Sequence, residues 1–167
     1  YIGIKFAKDG VNAAMTIAAK TEDGRIFVEA IDCVPIRAGN GWMFEYLYNP
    51  KVEKVVIDGA SGQQLLADQM KDHGIKKEPV LPKVGEVISA NAMFEQAVFQ
   101  KDIVHMGQQS LRDIVTNCGK RLIGTQGGFG YKSLVDSYDI SIMDSMILAF
   151  WICNITKESR PKQSISY

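Results

Sequence analysis

The alternation of apolar and polar positions in the first 34 residues predicts three consecutive strands. Ile2, Ile4 and Phe6 alternate with other residues, which is typical of a strand. Two further strands are predicted at residues 11–20 and 25–34. Asp9-Gly10 and Asp23-Gly24 separate the three segments and are strong signals for tight turns. Three strands joined by two such turns predict an antiparallel meander.

The remainder of the chain alternates helical patterns with short β-branched segments. Further strands are predicted at residues 54–57, 78–81 and 103–105, and helices at 41–49, 63–73, 83–100, 111–118 and 140–155. Residues 121–124 and 129–132 flank a glycine-rich tip and predict a hairpin. A meander followed by strand–helix units predicts a central mixed sheet with helices on both faces.

Composition and charge narrow the class of protein. The chain has 167 residues, the size of one ordinary domain, and 46% of them are apolar, enough for a packed core. The 19 basic and 19 acidic residues cancel, which argues against a protein that binds nucleic acid through a strong basic excess. The three cysteines are distant in sequence, and we expect reduced, buried thiols in a cytosolic protein.

The domain organisation follows from the same pattern. We expect one domain over residues 1–157 and a polar tail over 158–167. The chain starts at Tyr1 without a signal sequence, so we interpret it as a mature fragment or an excised domain. The apolar segment 140–155 is short for a membrane span and contains Asp144, which predicts a buried core helix and no membrane association.

Asp58 is the best-placed candidate for chemistry. It ends a predicted buried strand and precedes a glycine-lined turn into a helix, and ligands of open α/β sheets bind beyond the carboxyl ends of strands. The alternative is that Asp58 only shapes the turn or caps the helix, a role that Ser61 could also fill.

Asp144 is the second candidate, because it lies on a helix that is apolar on nearly every side. A carboxylate buried there needs a cation, either a metal ion or a lysine, to offset the loss of hydration. The alternative is local: Ser141 and Asp144 have the spacing of a capping box at a helix start. The two interpretations are compatible.

Three segments resemble the carboxy-terminal nuclease domain of phage terminase large subunits. They are the run VVIDG at 55–59 before a helix, the run DISIMD at 139–144 that opens an apolar helix, and VHM at 104–106 after the long predicted helix. The resemblance covers about residues 1–156, and its specificity lies in the order and spacing of the segments.

The resemblance implies an RNase H-like fold and a phage or prophage endonuclease that cuts duplex DNA during packaging. It implies two divalent cations, Mg²⁺ or Mn²⁺, held by acids that include Asp58 and Asp144. No ATP-binding phosphate loop is present, so we expect a translocating ATPase in an amino-terminal part. A portal and a small terminase subunit are further expected partners, in the cytoplasm of the host.

The first acid expected from the resemblance is missing. Gly3-Ile4-Lys5 places a lysine where that family carries its first metal ligand. Lys5 could pair with Asp58 and Asp144 and replace the ion with a fixed cation. Alternatively Asp9 reaches back from the following turn, although four residues of strand span about 13 Å. Asp139 is a weaker candidate, because a helix N-cap explains it.

Basic residues near the glycine-rich tip are candidates for DNA contacts. The segment 124–133 is not a phosphate-binding loop, because Tyr131 separates the last glycine from Lys132 and no strand–loop–helix context surrounds it. We expect a flexible hairpin near the active site, with Lys132, Lys120 and Arg121 available to phosphates. A plain solvent-exposed loop is the alternative.

Two other functions stay open at the level of sequence. One is a different RNase H-like enzyme, such as a resolvase or transposase, which would prefer branched DNA. The other is a catalytically degenerate domain that only binds DNA, because Lys5 occupies the site.

Overall fold

The computed structural model describes residues 1–125, 127–136 and 138–157. It contains a five-stranded mixed sheet, a separate two-stranded hairpin and five helices. The strands are β1 (Ile2–Phe6), β2 (Asn12–Lys20), β3 (Ile26–Pro35), β4 (Val55–Asp58), β5 (Ile103–Val104), β6 (Cys118–Ile123) and β7 (Gly128–Ser133). The helices are α1 (Gly41–Leu47), α2 (Gln63–Asp72), α3 (Val84–Gln100), α4 (Gln109–Thr116) and α5 (Ser141–Ile155), and a 3-10 turn spans Ile36–Ala38. The expected tail, 158–167, lies outside the described residues.

The sheet has the order β4-β1-β2-β3-β5. β2 runs antiparallel to β1 and to β3, whereas β4 is parallel to β1 and β5 is parallel to β3. Because successive side chains of a strand point to opposite faces, each strand contributes to two layers. Ile2, Ile4 and Phe6 point towards α1 and α2, while Gly3 and Lys5 point towards α5.

The two faces of the sheet bury different helices. One apolar layer joins β1, β2 and β4 to Met43 and Leu47 of α1 and to Leu66 and Met70 of α2. The other joins the sheet to α5, with α3 and α4 packed over it. Helix α5 is buried on nearly all sides, as its uniformly apolar sequence predicts. None of the described helices is both long enough and apolar enough to cross a membrane.

Several predicted elements differ from those in the structure. The strand predicted at 78–81 is a single bridge, in which Val80 pairs in parallel with Val56. The helix predicted at 111–118 begins and ends two residues earlier, since Cys118 starts β6. The hairpin predicted around the glycine-rich tip is confirmed and is longer than expected, pairing Cys118 with Ser133 at its base.

Helix α5 approaches β1 closely at Gly3. A Cβ atom built on Gly3 would meet the Ser145 carbonyl oxygen and the Ala149 nitrogen and Cα, all at 3.0 Å or less. These are backbone atoms, which cannot rotate away as a side chain would. The side-chain hydroxyl of Ser145 also forms a buried hydrogen bond of 2.7 Å with that of Thr16, which fixes the helix to β2.

We therefore expect Gly3→Ala to destabilise the protein by about 3 kcal/mol or more, because the added methyl forces α5 off the sheet. Urea unfolding would measure the change in the free energy of unfolding. Gly85→Ala is a matched control on α3, where an added Cβ meets no atom within 4 Å; we expect it to be neutral or slightly stabilising. Equal stability of Gly3→Ala and wild type would contradict the packing argument.

Candidate functional site

Lys5 and Asp58 form an ion pair at the end of the sheet. They are direct neighbours in the parallel register of β1 and β4, and their side chains lie on the α5 face. The Lys5 ammonium donates a hydrogen bond to Asp58 Oδ2 over 2.5 Å, and the two side chains are 18% and 19% exposed. The lysine that the sequence places in the position of a metal ligand therefore pairs with the carboxylate beside it.

The turn after Asp58 keeps the chain close to β1. Gly59 has a φ of 112°, and a Cβ there would collide with the Phe6 carbonyl oxygen, so only glycine fits. Ser61 does not cap α2; its hydroxyl donates to the Ala7 carbonyl oxygen over 3.1 Å. Asp58 therefore does not cap α2, and its carboxylate instead lies at the end of the sheet, paired with Lys5.

Asp144 lies in the first turn of α5 and is half-buried. No described residue donates a hydrogen bond to its carboxylate. Burial raises the pKa of Asp144 to about 6; the positive charge of Lys5 opposes this rise and the negative charge of Asp58 adds to it. Asp144 is therefore a desolvated carboxylate near a fixed cation, as the apolar helix around it suggested.

The capping-box interpretation of Asp144 is wrong. Ser141 is the first residue of α5, the N-cap is Ile140, and no side chain caps the helix from that position. Instead Asp139 Oδ1 accepts a hydrogen bond from the Ser141 backbone N–H over 2.7 Å, and its Oδ2 accepts one from Asn12 Nδ2 over 2.6 Å. Asp139 therefore ties the start of α5 to the start of β2, close to the N-cap role expected of it.

Asp9 lies in the turn between β1 and β2. Its Oδ1 accepts a hydrogen bond from the Val11 backbone N–H over 2.9 Å, which is the role of an ordinary turn aspartate. Asp9 is exposed and is not among the residues that line the cavity at Asp58 and Asp144.

Asp58, Asp144 and Lys5 line one small cavity of about 20 Å³. Helix α3 contributes Val87 and Asn91 to its wall, and the β6–β7 hairpin contributes Arg121, Ile123, Gly130 and Tyr131. A space of this size holds about one water molecule or one small ion. The hairpin expected near the active site therefore forms one wall of the cavity.

The sequence did not single out Asn91 or Tyr131 as site residues. Asn91 had a usable signal, because it is a polar residue on the apolar side of α3, beside Ala90 and Phe94. For Tyr131, the sequence offered no signal beyond its place in the predicted hairpin. Burial raises the pKa of Tyr131 to about 12, so its hydroxyl stays protonated at neutral pH.

The three basic hairpin residues have different surroundings. Arg121 donates through Nε to the Tyr131 carbonyl oxygen over 3.0 Å, and its positive charge opposes the rise in the pKa of Asp144 that burial causes. Lys120 pairs with Glu95 at 2.7 Å and lies 4.3 Å from the centre of the Phe129 ring. The Lys132 side chain is exposed, and it forms no ion pair or hydrogen bond with the described residues.

The cysteines do not add a metal site or a nucleophile. All three are free; Cys153 is buried, whereas Cys33 and Cys118 are only half-buried, which corrects the expectation of three buried thiols. Burial, aided by the charge of Asp144, raises the pKa of Cys118 to about 11. Within the described ranges, no three His, Cys, Asp or Glu side chains group so as to hold a metal ion.

Comparison with known proteins supports the fold. No protein-family model matches the chain, and no curated protein matches it in sequence. The structure is similar to the crystal structure of the large terminase nuclease from thermophilic phage G20c, with a TM-score of 0.61 and 16% sequence identity. The match covers 89% of this chain and 79% of that one. The expected likeness to a terminase nuclease is thus found at the level of the fold.

The raised pKa of Asp144 makes stability depend on pH. The pKa of Asp144 is about 6 in the folded protein, whereas the ordinary value is 3.8. Between pH 3.8 and 6 the Asp144 carboxyl is therefore mostly protonated in the folded protein and mostly ionised in the unfolded chain. Stability therefore falls as pH rises through this window. We expect Asp144→Asn, which has no charge to bury, to exceed wild type in stability by about 1–3 kcal/mol at pH 8 and to match it near pH 4.

Thermal or urea unfolding of the metal-free proteins between pH 4 and 8 would measure this difference. The control is Asp113→Asn, which changes an exposed carboxylate on α4 and should alter stability by less than about 0.5 kcal/mol. A gap between Asp144→Asn and wild type that stays constant with pH would show that the Asp144 carboxylate is not desolvated.

Proposed function

We propose that this chain is the nuclease domain of a terminase-type enzyme with an RNase H-like fold, which cuts duplex DNA with a divalent cation. The observation that carries the proposal is the meeting of Asp58 and Asp144 in one cavity, on a fold similar to that of a large terminase nuclease. Asp58 and Asp144 are 86 positions apart in the sequence, so they lie in one cavity only because of the fold.

The donors in the cavity fit one hard cation. Asp58 Oδ2 is occupied by Lys5, but Asp58 retains a second oxygen, and the Asp144 carboxylate has no hydrogen-bond donor among the described residues. Carboxylate oxygens are the ligands that Mg²⁺ and Mn²⁺ prefer. Such an ion would polarise a phosphate and activate water for attack at phosphorus.

The small volume of the cavity bears on how many ions it could hold. Paired catalytic ions lie about 3.5–4 Å apart, and a cavity of about 20 Å³ supports one ion rather than two. We propose a single ion held by Asp58 and Asp144. A second ion, which the resemblance implies, stays a prediction. Its binding would require phosphate oxygens of DNA as additional ligands.

Lys5 has two effects in this proposal. Its ammonium orients Asp58 and offsets part of the negative charge in the cavity. Because it holds one carboxylate oxygen, it competes with the cation, and we expect weak metal binding in the absence of DNA. When DNA binds, the same ammonium is close enough to the site to contact a phosphate oxygen.

The proposed biological setting follows the same resemblance. A viral packaging machine in the host cytoplasm would supply a translocating ATPase, a portal and a small terminase subunit as partners. A resolvase- or transposase-type RNase H-like nuclease stays an alternative, and a preference for four-way junctions over linear duplex would identify it.

A second function is favoured by the Lys5–Asp58 ion pair. If the ammonium displaces the cation permanently, the domain binds DNA without cutting it. A lysine in place of an acid removes one ligand and adds a repelling charge, and both effects weaken cation binding.

We expect the wild type to nick or cut plasmid DNA in the presence of Mn²⁺, and Asp58→Ala and Asp144→Ala to lose this activity by about a hundredfold or more. Each substitution removes one of the two carboxylates that face the cavity. Gel analysis of supercoiled plasmid would measure the loss. Asp68→Ala is a matched control, because Asp68 lies on α2 on the opposite face of the sheet and bonds only Gln64 among the described residues.

The same assay separates the two functions. An inactive wild type together with an active Lys5→Asp variant would show that the site is catalytically degenerate. Equal cutting by the wild type and both alanine variants would refute the site. We expect Asp9→Ala to cut like the wild type, since its carboxylate is used in its own turn.

DNA contacts of the hairpin are tested through salt dependence. We expect Arg121→Ala and Lys132→Ala each to weaken duplex binding and to reduce the slope of log K against log salt by about 1. Lys120→Ala should have a smaller effect, because Glu95 already neutralises Lys120. Fluorescence anisotropy at several salt concentrations would measure the slopes, and an equal loss for all three variants would contradict this assignment.

A further inference from the structure

Asn91 is a buried polar residue in the wall of the cavity. It lies in the middle of α3, is 3% exposed, and lines the same space as Asp58 and Asp144. Its amide nitrogen donates a hydrogen bond to the Val87 carbonyl oxygen over 2.7 Å. Its amide oxygen, Oδ1, is fully buried and accepts no hydrogen bond from any described residue.

The orientation of this amide is fixed by its neighbour. Exchanging the nitrogen and the oxygen would set Oδ1 against the Val87 carbonyl oxygen, and two acceptors cannot bond to each other. The nitrogen must therefore face the helix backbone, and the oxygen is left as the free group. A buried acceptor without a partner carries a substantial free-energy cost, so native proteins rarely retain one without a use.

The chemistry of the free oxygen matches that of the two acids. An amide oxygen has two lone pairs and no proton, and it is a common ligand of hard divalent cations. Unlike a third carboxylate, it adds a ligand without adding negative charge. This matters beside Lys5 and Arg121, because their two positive charges already balance the two carboxylates that line the cavity.

We propose that Asn91 Oδ1 is the third oxygen ligand of a divalent cation that Asp58 and Asp144 bind. The inference rests on the proposed function, because it assigns a further residue to the same ion site. In this arrangement the sheet end, α5 and α3 each supply one oxygen, and Asn91 compensates for the acid that Lys5 replaces in β1.

The test is a Mn²⁺ titration of the full chain without DNA, followed by electron paramagnetic resonance of the free ion. We expect Asn91→Ala to weaken Mn²⁺ binding by about tenfold or more, and Asn91→Asp to restore or tighten it, since that variant keeps an oxygen and adds charge. Rescue by the aspartate would separate ligation from structure, because an aspartate cannot donate to the Val87 carbonyl oxygen when it is ionised.

Asn40→Ala is the matched control. Asn40 is also buried, at 8% exposure, and its amide nitrogen donates to Gln69 Oε1 over 2.8 Å in the layer on the opposite face of the sheet. Both alanine variants lose a buried amide and its hydrogen bond, so both should lower the melting temperature. Only Asn91→Ala should change Mn²⁺ binding.

The outcomes distinguish this inference from the proposed function. If Asp144→Asn abolishes Mn²⁺ binding while Asn91→Ala binds like the wild type, the Asn91 oxygen bonds only a water molecule, and the inference falls while the ion site stands. If neither the wild type nor Asn91→Asp binds Mn²⁺ at millimolar concentrations, the ion site and the inference both fall. Loss of binding in Asn40→Ala as well would show a general effect of unfolding and would also overturn the assignment.

Discussion

The close contact between α5 and β1 at Gly3 is the constraint on which the site depends. The absence of a side chain at this position lets the backbone of the helix rest directly on the strand, with Ser145 and Ala149 against it. The Thr16–Ser145 hydrogen bond and the link from Asp139 to Asn12 fix the rotation and the start of the same helix. Asp144, one residue before Ser145, is thereby held over the end of the sheet.

The charges of the cavity follow from this contact. Once α5 is in place, a carboxylate that has lost much of its hydration faces the Lys5–Asp58 pair, and the lysine offsets part of the cost. Two carboxylates face two fixed cations, Lys5 and Arg121, so the formal charges that line the cavity cancel. The proposed function therefore depends on whether a divalent cation can bind in competition with the Lys5–Asp58 ion pair.

The walls of the cavity come from α3 and from the β6–β7 hairpin, and of these only the hairpin was expected near the site from the sequence. Helix α3 contributes Asn91, whose buried amide oxygen accepts no hydrogen bond from the described residues, and the β6–β7 hairpin contributes Arg121. Among the described residues, an acid pairs with Lys120 but not with Arg121 or Lys132, so the unpaired positive charge of the hairpin lies on the latter two. A neutral chain can thus present a local basic surface beside two carboxylates.

The sequence by itself determined the periodic elements and the two acids. β1 is marked by alternation with a period of 2 and α5 by a long run that is apolar on nearly every side, and an aspartate in such a run demands a partner wherever the helix packs. The strand predicted at 78–81 is only a bridge at Val80, and β6 starts three residues earlier than predicted, because pairing depends on distant neighbours. Only the tertiary structure decided that Lys5 pairs with Asp58, that Asp9 stays in its turn and that Asn91 faces the cavity. Each of these depends on which faces meet across the fold, and a sequence period does not encode that.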